Sequence, residues 1–180
     1  MILSLLSSLS IFGFGQSKSP YKVEQVFTDL REMAFSVSPQ DLQLQIEDKK
    51  IVFAVFMETG YPEAAFSLRC LGEGTISIYF TNGGGFIGIG EHALARKAGM
   101  KLIEMSNSFL TKARLTKTYE LPKVGYTKFY FRTNSGVFTF EEKEETLGNG
   151  KSEFSELFYQ AQEVITLVRQ IEEEKKIIEK

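Results

Sequence analysis

The spacing of apolar residues along the chain switches several times between the period of a helix and that of a strand. Apolar residues three or four positions apart indicate an amphipathic helix, whereas alternation with polar residues indicates a strand with one buried face. A first helix is predicted to begin at Ser19-Pro20, where a capping hydroxyl precedes a proline suited to the first helical position. Its buried face is predicted to contain Val23, Val26, Phe27, Leu30, Met33 and Ala34.

Three extended segments follow this helix. Residues 51–58 are almost continuously apolar, which indicates a strand covered on both faces. Residues 64–71 and 75–81 alternate between apolar and polar positions, and the sequence "GEG" at 72–74 supplies a tight turn between them. The pattern therefore predicts a three-stranded antiparallel meander.

The second half of the chain contains two longer helical patterns around a hairpin. A helix is predicted over residues 91–115, then strands at 127–133 and 137–141 joined by Asn134-Ser135-Gly136, then a long helix from near Ser152. The apolar stripe along this last helix is wider than the apolar seam of a heptad repeat. This width favours packing on a sheet over a two-stranded coiled coil. Its members are Phe154, Leu157, Phe158, Ala161, Val164, Ile165, Val168 and Ile171.

The predicted fold class is α+β, with an antiparallel sheet of about five strands flanked by helices in the order α-βββ-α-ββ-α. This order resembles the profilin-like and roadblock-like arrangements, a resemblance that carries no function. Length and composition fit one globular domain, because the chain has 180 residues, of which 43% are hydrophobic and 24% charged. The domain is predicted over residues 19–174, after an apolar segment and linker at 1–18 and before a charged end at 175–180.

Charge argues against a dedicated nucleic-acid binder, since the net charge is −2 and the pI about 5.6. Residues 91–132 hold nine basic and three acidic residues, and 141–180 hold eleven acidic and six basic ones. Two solvated faces that attract each other, or a basic patch for an anionic partner, would both explain this asymmetry. One sheet face could also expose groups that stack on bases, unless a helix covers it: Arg69, Tyr79, Tyr130 and Arg132.

The first eighteen residues form an apolar segment that ends in a Gly/Ser-rich linker. The segment is too short to span a bilayer. It lacks the charged start of a signal peptide because its first lysine is Lys18, but Gly13 and Gly15 resemble a cleavage site, so a signal peptide stays an alternative. Packing on its own domain or on a second copy, contact with a partner's groove, and membrane-surface contact through residues 1–14 all remain open. As a helix it would place its large apolar residues on one side: Ile2, Leu5, Leu6, Leu9 and Phe12.

The sequence "TNGGGFIGIGEH" at 81–92 looks most like a site. Three of its glycines formally match G-x-G-x-x-G, but the preceding strand belongs to a meander and no acidic residue ends a second strand about 20 residues later. A structural loop and an anion or small-ligand nest remain as hypotheses, with Phe86, Ile87 and Ile89 expected to be buried anchors. The candidate ligand residues are Gly83, Gly84, Gly85, Gly88, Gly90 and His92.

Catalytic and metal chemistry have little support in the sequence. His92 is the only histidine, and its neighbour Glu91 would point away from it on a helix. Cys70 is the only cysteine, which excludes an internal disulfide and a cysteine-based zinc site, and it is expected to be buried and inert. No catalytic residue, metal site or cofactor is therefore predicted.

Two segments, "METGYPEAAFSLRCLGEGTISIYFTNGGGFIGIGEH" and "LFYQAQEVITLVRQIEEE", resemble a family of small uncharacterised bacterial proteins over roughly residues 20–174. The resemblance implies a bacterial, cytoplasmic setting, with membrane association left open, and brings no activity. The leading hypothesis is a non-enzymatic protein-interaction module or assembly subunit that self-associates or binds a protein partner. Its alternatives are a sensor or enzyme that binds a small ligand or anion at 83–92, and a peripheral membrane protein. Partner contacts are predicted at Ile2, Leu5, Leu6, Leu9, Phe12, Val168 and Ile171.

Overall fold

Seven antiparallel strands form one sheet in the computed structural model, which describes residues 20–48 and 50–178. The strands are β1 Ala54–Gly60, β2 Ala65–Leu71, β3 Ile76–Phe80, β4 Gly85–Phe86, β5 Arg114–Thr116, β6 Tyr126–Thr133 and β7 Gly136–Lys143. Across the sheet they lie in the order β4-β3-β2-β1-β6-β7-β5. The α-helices of the described residues are α1 Gln25–Ser36, α2 Ala93–Phe109, α3 Glu144–Gly148 and α4 Ser155–Ile178. The predicted α+β class with an antiparallel sheet is confirmed.

The sheet has two more strands than the sequence predicts, and both lie at its edges. β4 consists of two residues inside the glycine-rich loop, where Phe86 pairs with Ile78. β5 overlaps the end of the second helix as predicted over residues 91–115. α2 instead stops at Phe109, and a short 3₁₀ turn leads into a strand that pairs with β7. Such short strands have too few residues to show a period, so their pairing depends on the neighbouring strand rather than on local pattern.

Three helical predictions also need correction. α1 begins at Gln25, after the Glu24 N–H donates to the Thr81 carbonyl at 2.8 Å, so the Ser19-Pro20 start is wrong. Val26 and Met33, predicted on its buried face, are 54% and 61% exposed. The residues 144–148 form the short α3, which the sequence pattern does not predict, and the last helix starts at Ser155.

α2 and α4 cover one face of the sheet and enclose the main core. The phenylalanines of β6 and β7 stack within it, with ring centroids of Phe129 and Phe140 5.0 Å apart. α4 packs on the sheet, as the width of its apolar stripe predicts. Ile171 is the last residue of α4 that belongs to the buried core. Other core members include Val55, Met57, Leu68, Ile78, Leu102, Phe131, Leu157, Val164 and Val168.

α1 and the segment that follows it cover the opposite face. Here Phe35 packs edge-on against Phe56 and Tyr130 and is stacked on Tyr119. Arg69 is 4% exposed and Tyr130 is 1% exposed, so these two side chains are not available to stack on bases. A helix covers that face instead, which was the alternative left open by the sequence.

Cys70 is fully buried on β2, and burial raises the pKa of its thiol to about 12. The thiol is therefore protonated at pH 8, and we expect no reaction with a water-soluble disulfide reagent in the native protein. Full labelling is expected in the same reagent after unfolding in urea. A Ser108→Cys variant, with an added thiol at an exposed position of α2, serves as the reactive control. Native labelling of Cys70 as fast as the control would contradict this packing.

Candidate functional site

The glycine-rich loop begins with a tight turn between β3 and β4. The Gly83 N–H donates to the Phe80 carbonyl at 3.0 Å, and the Phe80 N–H donates to the Gly84 carbonyl at 3.2 Å. Gly83 and Gly84 have φ values of +92° and +81°, and Gly88 has +72° before a short 3₁₀ turn. These left-handed conformations are ones that glycine adopts without the steric penalty of a side chain.

Gly85 and Gly90 are required for a different reason, which is close approach of two backbone segments. A Cβ atom on Gly85 would overlap the carbonyl oxygen of Ile78 on the neighbouring strand. A Cβ atom on Gly90 would overlap the carbonyl oxygen of Gly74. Backbone geometry thus accounts for each of the five loop glycines, which supports the hypothesis of a structural loop.

The loop is anchored differently from the prediction. Ile89 is fully buried and Phe86 is partly buried, with the Phe86 ring edge-on to Phe80 at 6.0 Å. Ile87, the third predicted anchor, is 66% exposed. The prediction was wrong for Ile87 because the β4 pairing places only Phe86 against the sheet.

The six candidate ligand residues do not converge on one site. Gly84 and Gly85 line an apolar depression beside α1, whereas Gly88 and Gly90 line a polar depression next to the Glu73 and Arg96 side chains. His92 lies in a third depression, between the start of α2 and the end of α4. The His92 side chain is exposed and forms no cap hydrogen bond at the α2 N-terminus. Across residues 20–48 and 50–178, no group of three or more His, Cys, Asp or Glu side chains could hold a metal ion.

A buried ion pair fixes α1 to the sheet. Arg31 Nε donates to Glu58 Oε1 at 2.7 Å, and Arg31 Nη2 donates to Glu58 Oε2 at 2.9 Å. The Glu58 side chain is 0% exposed and that of Arg31 is 14% exposed. Burial by itself would lower the pKa of Arg31, but the charge of Glu58 and the hydrogen bonds to it raise this pKa above its usual value.

Arg69 lies next to this pair, and its Nε donates to Ser67 Oγ at 3.3 Å. Its Nη1 donates to the Leu30 carbonyl at 2.7 Å, and its guanidinium lies 4.4 Å from the centroid of the Tyr79 ring. Its Nη2 is buried without a hydrogen-bond partner among the described residues, and burial lowers the pKa of Arg69 to about 10. The Glu58 carboxylate thus stabilises two guanidinium groups beneath α1, which gives this polar cluster a structural role.

A second apolar depression, larger than the one beside α1, lies on the sheet face opposite α1. It is between α4 and the ends of β2, β3 and β4. We call it the aromatic groove, and it has a volume of about 330 Å³. Tyr61 and Phe66 stack at one end of it, with ring centroids 6.1 Å apart. The Tyr61 hydroxyl donates to Glu144 Oε1 at 2.6 Å, and burial and this carboxylate raise the pKa of Tyr61. The groove is lined by Tyr61, Phe66, Ile78, Phe80, Phe86, Gln162, Ile165 and Arg169.

Most of these groove residues were not recognised as a site from the sequence. Phe66, Ile78 and Phe80 appear there only as the apolar positions of alternating strands, and Ile165 only as an extra member of the α4 stripe. The predicted partner residues Val168 and Ile171 are 0% and 8% exposed and pack in the domain's own core, and their contact with a partner stays a prediction. The other predicted partner residues, Ile2, Leu5, Leu6, Leu9 and Phe12, lie outside the described residues.

Comparisons of the chain with protein-family models, with curated proteins and with solved structures find no significant match. The resemblance to small bacterial proteins therefore stays a prediction. Among the helices of the described residues, none combines the length and apolar character needed to cross a membrane.

Proposed function

We propose that this chain is a non-enzymatic interaction module that binds an amphipathic segment of another protein in the aromatic groove. The partner segment would place Leu or Phe side chains in the groove and pair an acidic side chain with Arg169. The observation that carries this proposal is the groove itself, an open apolar cleft on a sheet whose faces are otherwise covered by helices.

The lining of the aromatic groove supports an apolar occupant. Six of its eight lining residues are hydrophobic, and Tyr61 at its rim is 40% exposed. Its volume is near the lower end of the range of about 300–1,000 Å³ for ligand pockets, which fits a few apolar side chains. Burial of these side chains would contribute roughly 25 cal/mol per Å² of apolar surface removed from water.

The charge at the groove supports an acidic group on the occupant. Arg169 projects from α4 at the rim and is exposed, and it forms no ion pair or hydrogen bond with any described residue. A rim charge of this kind contributes more to partner choice and association rate than to affinity. A partner segment with a carboxylate next to its apolar face would therefore be preferred over one with an amine.

The glycine-rich loop and His92 add further support for a binding role over a catalytic one. The loop glycines are each used for backbone geometry, and His92 does not line the aromatic groove. The His92 side chain forms no cap hydrogen bond, and its depression is separate from the aromatic groove.

A pair of synthetic amphipathic peptides tests the proposal. Both present Leu and Phe on one helical face, and they differ in a single flanking residue, which is Glu in one peptide and Lys in the other. Fluorescence anisotropy against the full chain should show tighter binding of the Glu peptide. Ile165→Lys should weaken its binding about tenfold or more, because it places an ammonium in the apolar groove.

Thr166→Lys is the matched control, since it adds the same charge at the next, exposed position of α4 outside the groove. It should leave binding within about twofold of the unsubstituted chain, and Arg169→Glu should reverse the preference between the two peptides. Equal binding by the Ile165→Lys and Thr166→Lys variants, or no binding of either peptide, would contradict the proposed function.

A further inference from the structure

Arg69 is a buried arginine that lacks a counter-charge of its own. It is 4% exposed, and its Nη2 atom has no hydrogen-bond partner in the part of the chain that the structure describes. Each oxygen of the neighbouring Glu58 carboxylate already accepts a hydrogen bond from Arg31. This buried cluster therefore contains two guanidinium groups and one carboxylate. One positive charge remains without a partner, which is unfavourable inside a protein.

The pKa of Arg69 is consistent with this imbalance. Burial lowers the pKa to about 10, and the charge of Glu58 raises it while the charge of Arg31 lowers it. The single carboxylate is therefore shared between two cations. An added negative charge beside Arg69 would stabilise its ionised form.

The Arg69 guanidinium lies beside the apolar depression next to α1. Its Nη1 donates to the Leu30 carbonyl at 2.7 Å. Its Cζ atom is 4.4 Å from the centroid of the Tyr79 ring and 6.0 Å from the centroid of the Phe27 ring. Leu30, Tyr79 and Phe27 also line the depression, so the guanidinium and the depression share one wall of side chains.

This depression, which we call the α1 depression, suits a small apolar body. Its volume of about 220 Å³ is below the range of roughly 300–1,000 Å³ for pockets of drug-sized ligands, which fits a single ring or a short aliphatic chain. None of the eight described residues that line it is charged. Val26 and Ile87 are 54% and 66% exposed there, and a ligand would remove part of their surface from water. The lining side chains are those of Val26, Phe27, Leu30, Tyr79, Phe80 and Ile87.

The unpaired charge and the apolar lining together define the class of ligand. A single negative charge would balance Arg69, whereas a second one would be repelled by Glu58. An anion that is polar all round, such as phosphate, would lose its hydration against the apolar lining without gaining enough hydrogen bonds. A carboxylate on an apolar body meets both conditions.

We infer that the α1 depression binds a small apolar carboxylate whose carboxylate group accepts a hydrogen bond from Arg69 Nη2. Nη2 is out of contact with solvent, so binding requires the partly exposed Tyr79 ring to move aside. The inference does not rest on the proposed function, because the α1 depression and the aromatic groove share only Phe80 among their lining residues.

Two fluorinated acids test this inference by fluorine NMR with the full chain. The probes are 4-fluorobenzoate and 4,4,4-trifluorobutanoate, and each is compared with its uncharged amide. Broadening of the fluorine signal on addition of protein measures binding. At least one acid should bind about tenfold or more tightly than its amide, because only the acid forms a charge-assisted hydrogen bond with Arg69.

Matched arginine substitutions locate the bound acid. Arg69→Met should remove the preference for the acid, so that acid and amide bind to a similar extent. Arg169→Met makes the same substitution at the rim of the aromatic groove and should leave the preference unchanged. Native circular dichroism and an unreactive Cys70 thiol verify that each variant is folded.

A second pair of variants keeps Arg69 and decides the matter if Arg69→Met does not fold. Val26→Glu places a carboxylate at the α1 depression and should weaken binding of the acid about tenfold by repulsion of like charges. Met33→Glu is the control, because it adds the same charge at a 61% exposed position of α1 outside the depression. It should change binding by less than about twofold.

Three results would overturn the inference. Equal binding of each acid and its amide to the unsubstituted chain would show that no positive charge takes part. Acid binding that survives Arg69→Met and is lost in Arg169→Met would place the acid in the aromatic groove. Failure of both acids to bind in the millimolar range would leave a water molecule as the partner of Nη2. The peptide experiment has a separate readout, so the proposed function and this inference can fail independently.

Discussion

Replacing Glu58 by glutamine is expected to lower the free energy of unfolding by about 3–5 kcal/mol. The substitution keeps the size of the side chain but removes the only carboxylate among the described residues that pairs with Arg31, and Arg69 lies beside the same group. Two guanidinium groups would then remain beneath α1 without a buried counter-charge. Urea unfolding followed by circular dichroism measures the change.

The control for this substitution is Glu153→Gln, which removes a carboxylate from the ion pair with Lys112. The side chains of that pair are 58% and 43% exposed, and we expect a loss below about 1 kcal/mol. A second test adds Arg31→Met to Glu58→Gln. If the ion pair is the cause, the double variant should lose at least about 1 kcal/mol less than the sum of the single losses. Additive losses, or a Glu58→Gln variant as stable as the control, would contradict this account of α1.

Gly90→Ala is expected to destabilise the protein by about 2–3 kcal/mol, because its Cβ would overlap the backbone carbonyl of Gly74. Backbone cannot move aside as a flexible side chain can, so the loop or the β2–β3 turn must shift. Gly84→Ala provides the comparison within the same loop. Gly84 has a positive φ but open space around its Cβ position, so the expected loss is only about 1–2 kcal/mol.

The two glycine variants separate a geometric role of the loop from a ligand-binding one. Both unfolding free energies are measured without any added ligand, so a change reports on the fold itself. If Gly90→Ala is as stable as the unsubstituted chain, the close approach of the two segments is not required for folding. The geometric explanation of Gly90 would then be wrong.

The sequence predicts those parts of the fold whose evidence is local. β1 to β3 and the β6–β7 hairpin follow from alternation and turn residues, and α4 from a long helical stripe. The prediction of the buried face of α1 was partly wrong because an arginine contributes to that face. Arg31 appears polar in the sequence, and nothing near it in the chain indicates its partner Glu58, 27 positions later. Edge strands such as β5 were missed because their pairing depends on residues far along the chain.

The difference between local and tertiary evidence also explains why the sequence pointed to the glycine-rich loop and the structure to the aromatic groove. The glycine-rich loop attracts attention because its signal is compact, yet five of its six candidate residues are divided among three separate depressions. The aromatic groove has no compact signal, since strand residues such as Phe66 and Phe86 meet the Ile165 side chain only through tertiary packing. Apolar residues at strand and helix spacing look like ordinary core until the structure shows which of them remain uncovered.

The position of α4 in the chain has a consequence for biosynthesis. All seven strands emerge from the ribosome before α4 does, so the phenylalanine-rich face formed by residues such as Phe129, Phe131 and Phe140 is left uncovered at that stage. That face cannot close until residues up to Ile171 have been translated. The nascent chain therefore presents aromatic strands to solvent during this interval, which is the kind of surface that holding chaperones bind and that aggregates when they are scarce.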